Sequence, residues 1–283
     1  MLYELGKCFA PSGSEGEAVS LLKSRMDGKT DNLGSYICGE GKIAIVSALD
    51  EQGFFVSDAA ERVKICPMGS VPPEWFINRK VRLSGGNIGF VSYDGELSSL
   101  KSSDLYIECG GTLVGEVGCI EQEPVLGEDF IITKAPLRVA SVGTALKLSD
   151  LKNVKFMFTS MYHIGKKGLN AALFRKECDT AIVIDTVDVC GKDIKLGGGP
   201  VIKMMDGSYT ADFRLREFAN SHDCQKTVVK TPEIRSENSA SFGCLTAYIS
   251  VPVKKIGGLV GRISLGDIEK TADFIREFIK TLY

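Results

Sequence analysis

The fold class of this 283-residue chain is decided by the stretch Ile43-Ala44-Ile45-Val46-Ser47-Ala48-Leu49-Asp50-Glu51-Gln52-Gly53. Its first seven residues are almost all apolar, which is typical of a strand buried on both faces. Similar apolar runs at residues 154–159, 181–185 and 245–251 predict further strands, and helical patterns lie between them. The alternation predicts an α/β fold, with a parallel or mixed sheet covered on both sides.

Two helices are marked in the sequence. A capping box of Ser14 and Glu17 predicts the start of the first helix, and residues 168–177 predict a later one.

The ends of two strands indicate where the site lies. Asp50 and Asp185 each follow a buried strand. Because ligands bind beyond the carboxyl ends of the strands in such sheets, we expect both aspartates near the site.

The sequence pattern changes between the two α/β segments. Between residues 59 and 129 the chain has short alternating segments divided by Gly, Pro, Ser and Asp, which is typical of a small β domain. We therefore predict a three-layer αβα main domain from residues 1–58 plus 130–283, with an inserted β-barrel-like domain at residues 59–129.

Composition excludes several functions. The formal net charge is −2 and no basic run exceeds two residues, so we expect no nucleic-acid partner. The N-terminus has no signal-peptide pattern, and no apolar run approaches the roughly 20 residues that span a bilayer, so we expect no membrane association. The nine cysteines contain no C-x-x-C pair, which favours free thiols in a reducing cytoplasm.

Imidazoles are scarce. The chain has two histidines: His163 follows a predicted strand and His222 ends a polar helix, where we expect it at the surface. Two histidines limit any zinc site, and a serine or cysteine nucleophile would have to use His163 as its base. The glycine loop at residues 196–200 lacks the Lys-Ser/Thr ending of a phosphate loop, so we reject that function for it.

Seven segments, taken together and in order, resemble the tetrahedral, glutamyl or deblocking aminopeptidases, dinuclear metallopeptidases once mislabelled as endoglucanases. The segments are Ala10-Pro11-Ser12-Gly13-Ser14-Glu15, Asp31-Asn32-Leu33-Gly34, Ala48-Leu49-Asp50-Glu51-Gln52-Gly53-Phe54, Asp104-Leu105-Tyr106-Ile107-Glu108-Cys109-Gly110, Phe158-Thr159, Leu196-Gly197-Gly198-Gly199-Pro200-Val201-Ile202 and Ile249-Ser250-Val251-Pro252-Val253-Lys254. The resemblance covers essentially the whole chain. It implies the family's fold and a homo-oligomer formed through the β-rich insertion. Trp75 and Phe76 would suit an interface, although Trp75 could equally belong to the core.

The resemblance does not extend to the metal ligands. Where the family has its first zinc-binding histidine, this chain has Ala48. The family's bridging aspartate matches Pro136, its glutamate base and the next ligand match Tyr162 and His163, and its last histidine falls near Gly257. Asp185 alone keeps a ligand position. A small shift of the alignment near Pro136 or Gly257 would instead recruit Asp150 or Asp267.

These replacements shape the functional expectation. Asp185 and His163 are the metal-ligand candidates, whereas Asp50, Tyr162 and His163 occupy vestigial catalytic positions. Asp185 could instead cap a helix or pair with a lysine, Asp50 could cap a turn, and His163 could simply be hydrogen-bonded. We expect no cofactor beyond at most one weakly held divalent metal. We predict a non-catalytic homologue that binds a peptide or small ligand or acts through assembly; the alternative is an active metal-dependent aminopeptidase with a rebuilt or single-ion site.

Overall fold

The computed structural model describes residues 1–69, 71–174, 178–191, 193–207, 209–229 and 244–283. The helices are α1 (Leu2–Lys7), α2 (Gly16–Lys23), α3 (Pro136–Leu146), α4 (Lys167–Phe174), α5 (Phe213–Ser221) and α6 (Leu265–Lys280). The strands are β1 (Gly28–Thr30), β2 (Tyr36–Cys38), β3 (Ile43–Ala48), β4 (Phe54–Asp58), β5 (Val63–Pro67), β6 (Lys80–Leu83), β7 (Ile88–Tyr93), β8 (Leu105–Glu108), β9 (Val117–Ile120), β10 (Val125–Leu126), β11 (Phe130–Lys134), β12 (Val154–Thr159), β13 (Thr180–Asp188), β14 (Val201–Asp206), β15 (Tyr209–Thr210), β16 (Gln225–Val229), β17 (Leu245–Ile256) and β18 (Val260–Ser264).

The main sheet is mixed and runs in the order β1-β2-β12-β3-β13-β17-β18-β11-β10, with β14 to β16 attached beside β17. Its centre is parallel, because β3 pairs in parallel with both β12 and β13, and β13 pairs in parallel with β17. Every residue of β3 is buried, so both faces of the sheet are covered. The expected α/β class with layers on both sides of the sheet is confirmed.

A closed barrel of six strands, β4-β5-β8-β7-β6-β9, accompanies the sheet. It has its own core around Phe54 and Phe76, whose rings meet edge to face at 5.7 Å. The barrel begins at Phe54, a few residues earlier than the sequence pattern indicated, because β4 pairs with β5 and β9 and not with the main sheet. The division into two domains remains a prediction.

Several local expectations are corrected. The chain opens with α1, whose six residues carry too little periodicity to be recognised. The next helix, α2, has Glu15 rather than Ser14 at its N-cap position; no side chain makes a capping hydrogen bond there and no capping box forms. Phe76 is fully buried, so it is not an interface residue in its own right. The predicted helix at residues 168–177 corresponds to α4, and its last three residues lie outside the described residues.

Candidate functional site

Asp50 ties two strand ends together. It follows β3, is fully buried, and accepts backbone N–H groups from Tyr162 at Oδ1 and His163 at Oδ2, both at 2.9 Å. The Ser12 hydroxyl donates to the same carboxylate. Both oxygens are therefore engaged in holding the segment between β12 and α4, and Asp50 takes a structural, turn-fixing position below the site.

The segment between β12 and α4 has an unusual backbone. Met161 and Lys166 are non-glycine residues with positive φ, 50° and 52°. The backbone N–H of Met161 donates to Glu15 Oε1 at 2.8 Å. Left-handed conformations in non-glycine residues cost about 1–3 kcal/mol each and are kept only where the surroundings enforce them. This turn is what directs Tyr162 and His163 toward the strand ends.

Tyr162 is a buried phenol, 8% exposed. Its Oη has no hydrogen-bond partner among the described residues, and the Lys166 ammonium lies 5.1 Å from the centre of its ring. Burial, reinforced by the nearby Asp185 charge, raises the pKa of Tyr162 well above its usual range. The side chain therefore stays protonated at neutral pH, where it can serve as a hydrogen-bond donor but not as a general base.

Asp185 pairs with a lysine, which is one of the roles that the sequence left open for it, but the sequence did not indicate which lysine. Lys203, on β14 and 1% exposed, places Nζ 3.2 Å from Asp185 Oδ2 and 3.3 Å from Asp206 Oδ2. Burial by itself raises the pKa of Asp185, but the charges of Lys203 and Lys166 outweigh it and hold that pKa below its usual range. Asp185 is therefore an ionised carboxylate already neutralised by an ammonium group. The available signal was a lysine inside the apolar run of β14, three residues before an aspartate.

A second buried ion cluster adjoins the site. Glu51 Oε1 lies 3.1 Å from Arg138 Nη2 and 3.4 Å from Lys134 Nζ, and all three side chains are at most 2% exposed. The guanidinium of Arg138 also donates to the backbone carbonyl groups of Leu5, Cys8 and Leu49. Burial by itself raises the pKa of Glu51, but the charges of Lys134 and Arg138 outweigh this effect. The pKa is therefore below its usual range, and the carboxylate stays charged. This cluster fixes the start of α3, where Pro136 and Leu137 face the site without polar side-chain atoms.

A cavity of about 220 Å³ lies at the carboxyl ends of the strands. Tyr162, His163, Asp185 and Lys203 line it, so the structure brings together three of the four predicted site residues. Asp50 lies beneath it and does not line it. On the barrel side the cavity is bounded by Ile120, Gly258 and Leu259.

The two aspartates considered as substitute ligands are used elsewhere. Asp150 pairs with Arg276 at the surface, at 2.8 Å. Asp267 accepts the backbone N–H groups of Gly197 and Gly199, both at 2.7 Å. The N–H groups of this glycine loop are thus directed at a carboxylate of the protein, which agrees with the rejection of a phosphate-binding role.

A family model for M42 glutamyl aminopeptidases matches residues 107–274, more than half of the chain. The chain belongs to the M42 glutamyl aminopeptidase family. It is 26% identical to a protein of Acetivibrio thermocellus, named only provisionally as an aminopeptidase, over 95% of this chain and 94% of that protein.

Solved structures agree with the M42 fold. A TET aminopeptidase from a marine sediment archaeon of the Thaumarchaeota superposes with a TM-score of 0.86 at 20% identity, covering 99% of this chain and 95% of the other. The TET1 peptidase of Pyrococcus horikoshii gives 0.81 at 22% identity, covering 98% and 97%. At these identities the likeness establishes the fold.

The described residues around the cavity do not fit a dinuclear zinc centre. Across the parts of the chain that the structure describes, no three His, Cys, Asp or Glu side chains are grouped as metal ligands. His163 and Asp185 both reach the cavity, but the Asp185 carboxylate is engaged by Lys203. Catalytic zinc sites use about three protein ligands for each ion, and two donors with one engaged fall short of that.

Proposed function

We propose that this M42 protein does not hydrolyse peptides through a metal centre and that its cleft binds a small ligand instead. The observation that carries the proposal is the ammonium group of Lys203, buried between Asp185 and Asp206 at 3.2 and 3.3 Å. In an apolar interior a carboxylate needs a counter-charge, and Lys203 supplies it without any metal.

Electrostatics supports this assignment. Two unit charges about 4 Å apart at an effective dielectric of 20 interact by about 4 kcal/mol. The Lys203 ammonium therefore contributes a repulsion of roughly 8 kcal/mol toward a divalent ion at that distance, which offsets the attraction of one carboxylate at the same distance. Metal ligands must also be free of competing protons and ion pairs, so binding at Asp185 would require Lys203 to move away or to lose its proton.

The missing base points the same way. Hydrolysis needs a group that takes a proton from water at neutral pH, and the family's base position holds Tyr162. Its raised pKa keeps the proton on the phenol. Neither Pro136 nor Ala48 offers a side-chain atom that could replace this function.

The test is the metal content of the purified full-length chain, combined with hydrolysis of a panel of aminoacyl p-nitroanilides. We expect substoichiometric zinc and cobalt after incubation with either ion, and rates equal to those of a buffer blank. Two tightly held ions per chain with metal-dependent turnover would overturn the proposal and establish a rebuilt active site. A single tightly held ion with turnover would also overturn it.

We further propose that the chain forms a homo-oligomer. Ile88 and Phe90 protrude from one face of β7 in the barrel, 49% and 57% exposed. The P. horikoshii TET1 peptidase, a protein of the same fold, is described as assembling into a tetrahedron or a large octahedral shell. Light scattering should give a mass above 30.6 kDa, and Phe90→Glu should lower it; a monomer at high micromolar concentration would contradict this.

Cellular location is also a proposal. None of the helices in the described part of the chain combines the length and the apolar character that crossing a bilayer requires. All nine cysteines are free thiols, and five of them are exposed or half-buried: Cys8, Cys66, Cys109, Cys190 and Cys224. Because free thiols persist in reducing compartments, we propose the cytoplasm.

A further inference from the structure

The acidic side chains that line the cleft already have partners. Glu51 is held by two buried cations and Asp185 by one. Asp188 Oδ1 accepts the backbone N–H groups of Cys190 at 3.2 Å and of Lys255 at 3.3 Å. A ligand entering the cleft therefore meets carboxylates that are already engaged.

Two hydrogen-bond donors near the cavity, unlike the carboxylates, lack partners within the described residues. Tyr162 Oη is buried in the cavity wall and has no hydrogen-bond partner within the described residues. Behind it, Lys166 Nζ is also buried and makes no hydrogen bond there; it lies between the rings of Tyr162 and Tyr248, at 5.1 and 5.2 Å. At the mouth, the exposed Lys255 lines the cavity and carries Nζ 5.5 Å from the Trp75 ring.

This imbalance selects a ligand group. A buried donor that makes no hydrogen bond carries a desolvation cost, which an acceptor oxygen removes. Because Lys255 adds an ammonium group at the mouth and the Lys166 ammonium group lies behind Tyr162, a negatively charged acceptor is favoured over a neutral one. A ligand ammonium group would meet carboxylates that already have partners, and it would be repelled by the Lys255 ammonium group at the mouth. Burial lowers the pKa of Lys166, and a bound anion would reverse that effect.

Resting on the proposed non-hydrolytic function, we infer that the cleft binds the carboxylate of an amino acid or short peptide, with Tyr162 Oη and the Lys255 ammonium group as the donors and the Lys166 charge behind Tyr162 adding to the attraction. Size agrees with this ligand class. Pockets for drug-sized molecules span about 300–1,000 Å³, and a cavity of about 220 Å³ accommodates one or two amino-acid residues.

Matched peptides test the inference. Isothermal titration of the full-length chain with N-acetyl-L-alanyl-L-alanine is compared with titration of its C-terminal amide, which differs at the carboxylate alone. We expect the acid to bind and the amide to bind roughly ten- to a hundredfold more weakly, as removal of a charge-assisted hydrogen bond predicts. Equal binding of acid and amide, no binding of the acid, or binding of inorganic phosphate in place of the acid would each overturn the inference.

Variants test the roles of Tyr162 and Lys166. Tyr162→Phe removes a single oxygen and Lys166→Met removes the charge; each should weaken the acid at least severalfold while leaving the amide unchanged. Lys167→Met is the matched control, because Lys167 is the adjacent, exposed lysine. Lys167→Met should bind the acid as the parent does. If Tyr162→Phe and Lys166→Met also bind it with the parent's affinity, the assignment is wrong. Thermal melts establish that each variant is folded.

The two proposals fail in different ways. Stoichiometric metal and peptide hydrolysis in the same preparation would refute the non-hydrolytic function. A metal-free, inactive protein that ignores the acid would refute the carboxylate site alone.

Discussion

Replacing Lys203 with methionine tests the charge balance of the site. Methionine keeps much of the side-chain length but removes the ammonium group that lies 3.2 Å from Asp185 and 3.3 Å from Asp206. Asp185 and Asp206 would then lack their shared buried counter-charge. Removing one partner of a buried ion pair costs about 3–5 kcal/mol, so we expect a loss of that size in the free energy of unfolding at pH 7.

The loss should depend on pH. In the parent protein the pKa of Asp185 is held below its usual range, so its contribution is present above the unfolded-state pKa of about 3.9 and disappears as the pH falls through the folded value. In Lys203→Met, burial acts with less opposition and raises the pKa of Asp185, which makes the ionised form destabilising at neutral pH. The difference between the two proteins should therefore be largest near pH 7 and should shrink toward pH 4.

Urea unfolding followed by circular dichroism, repeated between pH 4 and pH 8, measures this difference. The exposed Lys195→Met is the matched control and should change stability by less than about 0.5 kcal/mol. Adding Asp185→Asn to Lys203→Met should recover part of the loss, since one uncompensated carboxylate is gone. A loss below about 1 kcal/mol, or one that is the same at every pH, would show that Lys203 does not neutralise the site.

Three other changes follow from the same structure. Glu51→Gln should cost about 3–5 kcal/mol in urea unfolding, because Arg138 would lose its buried counter-charge; a loss within experimental error would contradict the ion cluster. Tyr162→Phe should leave the free energy of unfolding unchanged or raise it by up to about 1 kcal/mol, since it removes a buried hydroxyl that has no hydrogen-bond partner among the described residues; marked destabilisation would mean that Oη has a structural partner. Gly69→Ala should destabilise by about 1–3 kcal/mol, because φ is +70° and an added Cβ would lie 2.7 Å from the carbonyl oxygen of His163; parent-like melting would argue against this close contact.

The sequence alone predicted the central part of the fold. Apolar runs mark β3, β12, β13 and β17 because strands buried on both faces leave no room for a polar side chain. The short α1 escaped detection, since six residues contain less than two helical turns of pattern. The start of the barrel at Phe54 was displaced because an apolar strand has the same pattern whichever sheet it joins.

For the site, too, some features could be predicted from the sequence and others could not. The sequence already shows few ligands for two zinc ions. The chain has two histidines, and the family's ligand and base positions hold Ala48, Pro136 and Tyr162. That conclusion depends only on which atoms the side chains contain, so the identities of the residues are enough to reach it.

The tertiary structure alone decided what stands in place of the metal ligands. Lys203 and Asp185 lie on different strands, and their contact is produced by the pairing of β13 and β14 with β17. The orientation of Tyr162 likewise depends on the turn fixed by Asp50. Periodicity along a chain reports burial, whereas the partner of a buried charge is set by distances between segments far apart in sequence, and those distances exist only in the folded protein.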